Sequence, residues 1–324
     1  FYDRLGKLLG DNSFAERLEN RTYDHFEQEH RHLFSKGGLV TGFKEIDDQL
    51  YFSKGDFVVV QALSNHGKST FMLQLANRFV NEDENQSQNP LCIFITYESS
   101  PLRIEEKLIN ILGSEFNERE PIQYRRNSEE KYFYADHKEF QRTITTYNKI
   151  LRENKLHILK RINLEKIPGL IDLYKSEFPG RTICLFLDYF QIIETESDLE
   201  DWKKIKAIAY ALESLAIGKE IIVFSASQVN EKRQVREGRD IYNAATTVID
   251  IFNHSHSSLE LNEDLRKLYK EKIRDQDIDK SICTFTVNKQ KHGSSFTLKE
   301  YFLFDGYSFG INKPQKFNPF GYHG

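Results

Sequence analysis

No stretch of the 324 residues approaches the roughly 18–20 consecutive apolar positions that a membrane-spanning helix needs. No signal-peptide pattern is visible either, so the expected setting is the cytoplasm, with no membrane partner. Cysteine is scarce. Cys92, Cys184 and Cys283 are an odd, scattered set, each inside an apolar, strand-like run, which excludes a disulfide framework and reads as three buried thiols in a reducing compartment. A basic excess is missing as well: 45 Lys and Arg stand against 49 Asp and Glu, for a net charge of −4. That excludes a protein coated in positive charge, but not one that holds nucleic acid in a small channel where local charge decides. With 39% hydrophobic residues, the chain has enough to bury a large core as one α/β domain, with or without an appendage.

The pattern along the chain alternates strands and helices. Runs at 57–62, 91–97, 182–188 and 220–226 are nearly continuous in apolar residues, as central strands of a parallel sheet covered on both faces must be. A further strand-like run lies at 155–159. Helical patterns at 69–80, 101–112, 137–153, 164–177 and 202–217 separate them. Residues 81–90 read as a polar loop, and 253–280 as a charged, irregular segment. Two last runs, 282–288 and 295–304, flank Lys289–Gly293 like a hairpin. Residues 14–36 carry a thin apolar stripe (Leu18, Phe26, Leu33) and stop at Gly37-Gly38. A stripe that narrow suits a helix lying against something else, such as another subunit. The expected division is therefore a linker or subunit-docking helix over 1–38 and a main domain over 39–324.

The chemistry starts at Gln61–Thr70, "QALSNHGKST", directly after the apolar run Phe57–Val60. A strand, a tight polar turn and Gly67-Lys68-Ser69 opening a helix form the arrangement that cradles a nucleoside triphosphate. Backbone N–H groups of Ser64, Asn65, His66, Gly67, Lys68, Ser69 and Thr70 would face the phosphates. The Lys68 ammonium would reach the β and γ oxygens, and the Ser69 hydroxyl would ligate Mg²⁺. The pattern departs from GxxxxGK[ST] only in Ala62, which replaces the first glycine and is tolerable where φ stays negative. A surface turn before a helix is the plain alternative, and the strand before and amphipathic helix after it (Phe71, Leu73, Leu75, Ala76, Phe79) weigh against that.

Three more polar residues close apolar strands. Asp188 ends "CLFLD", where an acid beside a phosphate loop can hold Mg²⁺ through water. Glu98 follows "LCIFITY", at the end of the sheet where ligands bind, and can deprotonate an attacking water. Gln228 follows "IIVFSAS", where an amide can sense the γ-phosphate. In isolation each also reads as a strand-end residue capping the next element.

Taken in order, "TGFKEIDDQL…KGDFVVVQALSNHGKST", "FITYESS", "FLDYFQII", "FSASQVN" and "VNKQKHG" resemble the C-terminal motor domain of the DnaB-type replicative helicases. The resemblance covers about residues 36–306. "DYFQ" and "KQKHG" separate it from the wider RecA class. It implies a RecA-like P-loop ATPase core with a central, mostly parallel sheet, a ring that is a hexamer, and ATP hydrolysis at subunit interfaces driving movement on single-stranded DNA. It also implies contact with a primase or a helicase loader, and that residues 14–36 are the linker helix that packs on a neighbour. Lys289 and Lys291 match the two basic residues that the family inserts into a neighbour's ATP site; the second is an arginine in the family, and lysine lacks its planar fork. Two solvated hairpin lysines are the plain alternative.

A second departure concerns DNA. Where the family has "DLRESG" in its channel loop, this chain has Asp240-Ile241-Tyr242-Asn243-Ala244-Ala245, so Tyr242 stands at the arginine position. Asn243 can contact phosphate and Tyr242 can stack on a base. Arg233, Arg236 and Arg239 upstream can supply charge, although Glu231, Glu237 and Asp240 interleave with them, as in a solvated loop. His254 and His256, like His30 and His32, lack a ligand set at metal spacing and read as surface histidines. Two rival functions remain: a RecA/RadA-type recombination ATPase, against which "DYFQ" weighs, and a non-unwinding ring platform or loader, against which Lys68, Glu98 and Asp188 weigh.

Overall fold

The computed structural model describes residues 38–116, 122–123, 133–134, 141–195, 200–229, 238–254, 281–291, 293–298, 302–304 and 308–311. The expected linker helix, Arg233, Arg236 and His256 lie outside the described residues.

A ten-stranded sheet runs in the order β12-β11-β9-β8-β1-β7-β6-β2-β5, with β10 paired to β9. Six of these strands are mutually parallel: β5 (Leu156–Lys160), β2 (Pro90–Thr96), β6 (Thr182–Asp188), β7 (Ile222–Gln228), β1 (Phe57–Ala62) and β8 (Thr247–Asn253). The antiparallel remainder is β9 (Ser281–Gln290), β10 (Phe296–Thr297), β11 (Phe302–Phe304) and β12 (Phe309–Ile311). A separate short hairpin joins β3 (Ile122–Gln123) and β4 (Phe133–Tyr134).

The near-continuous apolar runs are buried throughout in β1, β2 and β6 because both faces are covered. Side chains alternate between two cores, as a period of two requires. Val58, Val60, Cys92, Phe94, Cys184, Phe186 and Phe224 meet helices α2 (Lys68–Asn81) and α3 (Pro101–Glu115) on one face. Phe57, Val59, Ile93, Ile95, Leu185, Leu187 and Val223 meet α5 (Ile167–Glu177), α6 (Asp201–Gly218) and α7 (Gly238–Ala244) on the other. In the first core Phe186 stacks on Phe224 with centroids 4.7 Å apart, and Phe79 and Phe94 pack beside them. The remaining described helices are α1 (Lys44–Asp47) and α4 (Gln141–Arg152). All three cysteines are buried and unpaired by disulfides.

The sequence reading omits α1, β3, β4, α7, β8 and β12. β8 completes the parallel sheet beside β1, yet "TTVIDIFN" carries a polar residue in mid-run and abuts the charged segment, so its strand character is set by its neighbours. The run read over 295–304 is two strands, β10 and β11, which pair in succession along the edge of β9 away from β8. The polar loop over 81–90 contains a 3₁₀ turn, Asp83–Gln88. No described helix is long and apolar enough to cross a membrane.

Candidate nucleotide-binding site

Four adjacent parallel strands, β2, β6, β7 and β1, end along one edge of the sheet. Their register sets Thr96 beside Asp188 and Ala62 beside Gln228. The turns leaving those ends carry the candidate residues into one cleft of about 280 Å³, lined by Ser64, Asn65, Gly67, Lys68, Ser69, Thr70, Glu98, Lys107, Asp188 and Gln228 among others.

The phosphate loop is shaped by two left-handed residues, Asn65 (φ 62°) and Gly67 (φ 87°). Asparagine and glycine are the residues that tolerate this region. Gly67 then caps α2, whose first turn contains no acidic residue, so the positive end of the helix dipole is left for an anion. The His66 side chain turns away from the cleft. Buried at 2% exposure, it accepts at Nδ1 a hydrogen bond from the Asn253 backbone N–H (3.0 Å) and packs on Phe252, pinning the loop to the end of β8.

The Lys68 ammonium folds back onto the end of β1, donating to the carbonyl oxygens of Leu63 (2.9 Å) and Ala62 (3.2 Å). Burial lowers its pKa, while Asp188 and Glu98 oppose that shift. Asp188 is 3% exposed, and burial raises its pKa against the Ser69 hydroxyl hydrogen bond and the nearby Lys107 and Lys68 charges. Its Oδ1 has no hydrogen-bond partner. A buried carboxylate oxygen without a donor, beside a serine hydroxyl in a phosphate cradle, fits a divalent cation. Among the described residues no three His, Cys, Asp or Glu side chains gather to hold a metal by themselves. Mg²⁺ that keeps phosphate oxygens and waters as ligands needs no such set.

Glu98 stands exposed on a turn that is fixed from several sides. The Ser99 N–H donates to Thr96 Oγ1 (3.1 Å) and the Thr96 hydroxyl to the Ser99 carbonyl (3.0 Å). The Tyr97 N–H donates to the Asp188 carbonyl (2.9 Å), and Arg161 Nε to the Tyr97 carbonyl (2.7 Å). Ser100 then caps α3, with Pro101 at its first position. Gln228 is held through its backbone. Gln191 Nε2 donates to the Gln228 carbonyl (3.0 Å) and Ser227 Oγ (3.1 Å), and Gln191 Oε1 accepts from the Gln228 N–H (3.3 Å).

Two contributors were missed by sequence reasoning. Lys107 reaches the cleft from the middle of α3; its only signal was the i+9 spacing from Glu98. Gln191 was visible as the glutamine of "DYFQ", without a stated role. Five expected residues lie elsewhere. Arg239, Tyr242 and Asn243 sit on α7, and Lys291 is exposed just past β9. Lys289 is half-buried, and its ammonium donates to the carbonyls of Tyr242 (2.6 Å) and Asn243 (3.0 Å) within its own chain. His254, read as a surface histidine, is half-buried with its ring edge-on to Phe252.

A parallel sheet with this loop, helix and strand-end acid defines a RecA-like P-loop nucleotide-binding domain. A family model described as DnaB-like helicase C terminal domain matches residues 38–309, and the chain belongs to that family. Curated relatives include the probable plasmid replicative DNA helicase of Chlamydia psittaci, 25% identical over 266 residues covering 80% of this chain and 52% of the relative. The protein of that name in Chlamydia muridarum (strain MoPn / Nigg) is 24% identical over 315 residues, covering 91% and 63%. The chain thus spans about half to two thirds of the length of these relatives. Among solved structures, one described as an ATPase domain superposes with a TM-score of 0.66 at 16% identity, covering 91% of this chain and 99% of that one. A second, described as a DnaB-like replicative helicase and its interactions with primase, gives 0.65 at 16%, covering 91% and 69%. At that identity both matches speak to the fold.

Proposed function

We propose that this chain is the motor of a ring-shaped replicative helicase, which hydrolyses ATP to travel on single-stranded DNA in the cytoplasm. The observation that carries the reading is the cleft in which Lys68, Ser69, Asp188, Glu98 and Gln228 converge, with the buried Asp188 Oδ1 lacking a donor. Loop amides and the α2 N-terminus bind the phosphates. On nucleotide entry Lys68 exchanges its two backbone carbonyls for phosphate oxygens. Ser69 and Asp188 would hold Mg²⁺, which when bound offsets charge on the β and γ phosphates. Glu98, on its fixed turn, orients the attacking water and accepts its proton. Gln228 reports γ-phosphate loss along β7 towards the DNA segment at 231–245. Lys291, exposed and absent from this cleft's lining, supplies charge to a neighbouring copy's site, so the working form is an oligomer, a hexamer by family pattern. Primase or a loader is the partner class that the family pattern implies.

The test is a Mg²⁺-dependent ATPase assay with and without single-stranded DNA, paired with particle imaging. Closed rings, DNA-stimulated turnover and a steep fall in DNA affinity with salt are the expected results, since backbone contacts release counterions. Hydrolysis that ignores DNA, with no DNA retained at low salt, would sink the helicase reading and leave a platform.

A further inference from the structure

The clamp around Lys289 begins with a bulge in β9. Opposite β8, Lys289 faces Val248 and Val287 faces Ile249, so Asn288 is an extra residue without a counterpart. A bulge of this kind re-aims the chain and leaves its own backbone unpaired. Here the spare Asn288 carbonyl accepts from the Tyr242 hydroxyl (3.1 Å) and from Ser295 Oγ (2.8 Å). The re-aimed Lys289 ammonium meets the Tyr242 and Asn243 carbonyls and lies 5.2 Å from the Tyr242 ring centroid. Those carbonyls belong to the last turn of α7, where no intrahelical donor remains and the helix dipole is negative, so a cation is favoured on both counts.

We infer that Lys289 is a positioning residue, which clamps the end of α7 to the Asn288 bulge so that the DNA segment and the strand end carrying Lys291 move as one unit. Lys291 is then the nucleotide-directed cation of the pair. The inference rests on the helicase reading for its consequence, but the clamp is testable without it.

Hydrogen exchange is measured on the nucleotide-free protein for the wild type, Lys289→Met, Lys289→Arg and Lys291→Met. Amides of residues 239–247 should exchange about tenfold faster in Lys289→Met, return towards wild type in Lys289→Arg, and be unchanged in Lys291→Met. With DNA present, Lys289→Met should lower kcat about tenfold with KM for ATP within about twofold, and Lys289→Arg should recover most of kcat. Lost turnover with unchanged exchange would overturn the inference, because Lys289 would then act on nucleotide. Faster exchange with unchanged kcat would overturn it too, leaving a purely structural contact. Should Lys289→Met fail to fold, Tyr242→Phe removes the hydroxyl donor to Asn288 and should give the same pattern at smaller amplitude. A wild type that hydrolyses no ATP defeats the helicase reading, while the exchange comparison still decides the clamp.

Discussion

Gly67 rests against the ring of Phe309: a Cβ on Gly67 would lie 2.6 Å from Phe309 Cζ. The ring cannot withdraw easily. It stacks on Phe304 (4.6 Å) and meets Phe71 edge-on (5.7 Å). Phe309 is also fastened through its backbone to Gln74 of α2 by two hydrogen bonds, at 2.8 and 2.9 Å. Gly67→Ala combines this clash with a left-handed φ, a strain of about 1–2 kcal/mol. Titration with a fluorescent ATP analogue should show at least tenfold weaker binding. Gly67→Ala with Phe309→Ala should recover little, since the φ strain remains.

Lys68→Met should separate stability from binding. The Ala62 and Leu63 carbonyls also accept from the N–H groups of Val229 and His66, so removing the ammonium does not orphan them. Burial holds the Lys68 pKa below 10.5, so the penalty is complete at neutral pH. It shrinks as pH rises from the folded value towards the unfolded one, because the unfolded chain then holds more protons. The nucleotide-free variant should melt about 2 °C higher at pH 7, with the gap narrowing at alkaline pH. Added ATP should no longer raise its melting temperature.

Gln191 fixes Gln228 from the turn after β6 by two hydrogen bonds to its backbone, with a third to the Ser227 hydroxyl. Gln191→Ala should lower kcat about tenfold, the equivalent of roughly 1.4 kcal/mol, while the affinity for an ATP analogue stays near wild type. Equal losses in affinity and turnover would mean that Gln191 shapes the nucleotide pocket and not the sensor.

If the site is shared between copies, mixing Lys291→Ala with Glu98→Gln subunits should restore part of the activity that each lacks alone. Hybrid interfaces then unite both intact halves. No recovery at any ratio, with mixed rings demonstrated by mass spectrometry, would place Lys291 outside the reaction.

Burial should silence the thiols. Cys92, Cys184 and Cys283 are each fully buried, and desolvation pushes Cys283 up to about 12. At pH 8 an aromatic disulfide reagent should label none of the three in the first minutes, and all three after denaturation.

Local pattern carried much of this protein. Unbroken apolar runs specified the strands buried on both faces, and Gly67-Lys68-Ser69 specified the phosphate loop, because both signals lie within a few residues. Asp188, Glu98 and Gln228 were legible because a parallel sheet puts the carboxyl ends of its strands on one side. What the sequence could not specify depends on partners far along the chain. β8 is a strand because β1 and β9 flank it, and Phe309 backs the phosphate loop across 235 residues of separation from Gln74. His66 turns from the cleft because Asn253, 187 residues on, offers it a donor. Lys289 points at α7 and not outward because one extra residue in β9 has no counterpart in β8. Short-range periodicity fixes which segments can become strands, helices and a phosphate cradle. Only the packed sheet decides where each polar side chain finds its partner.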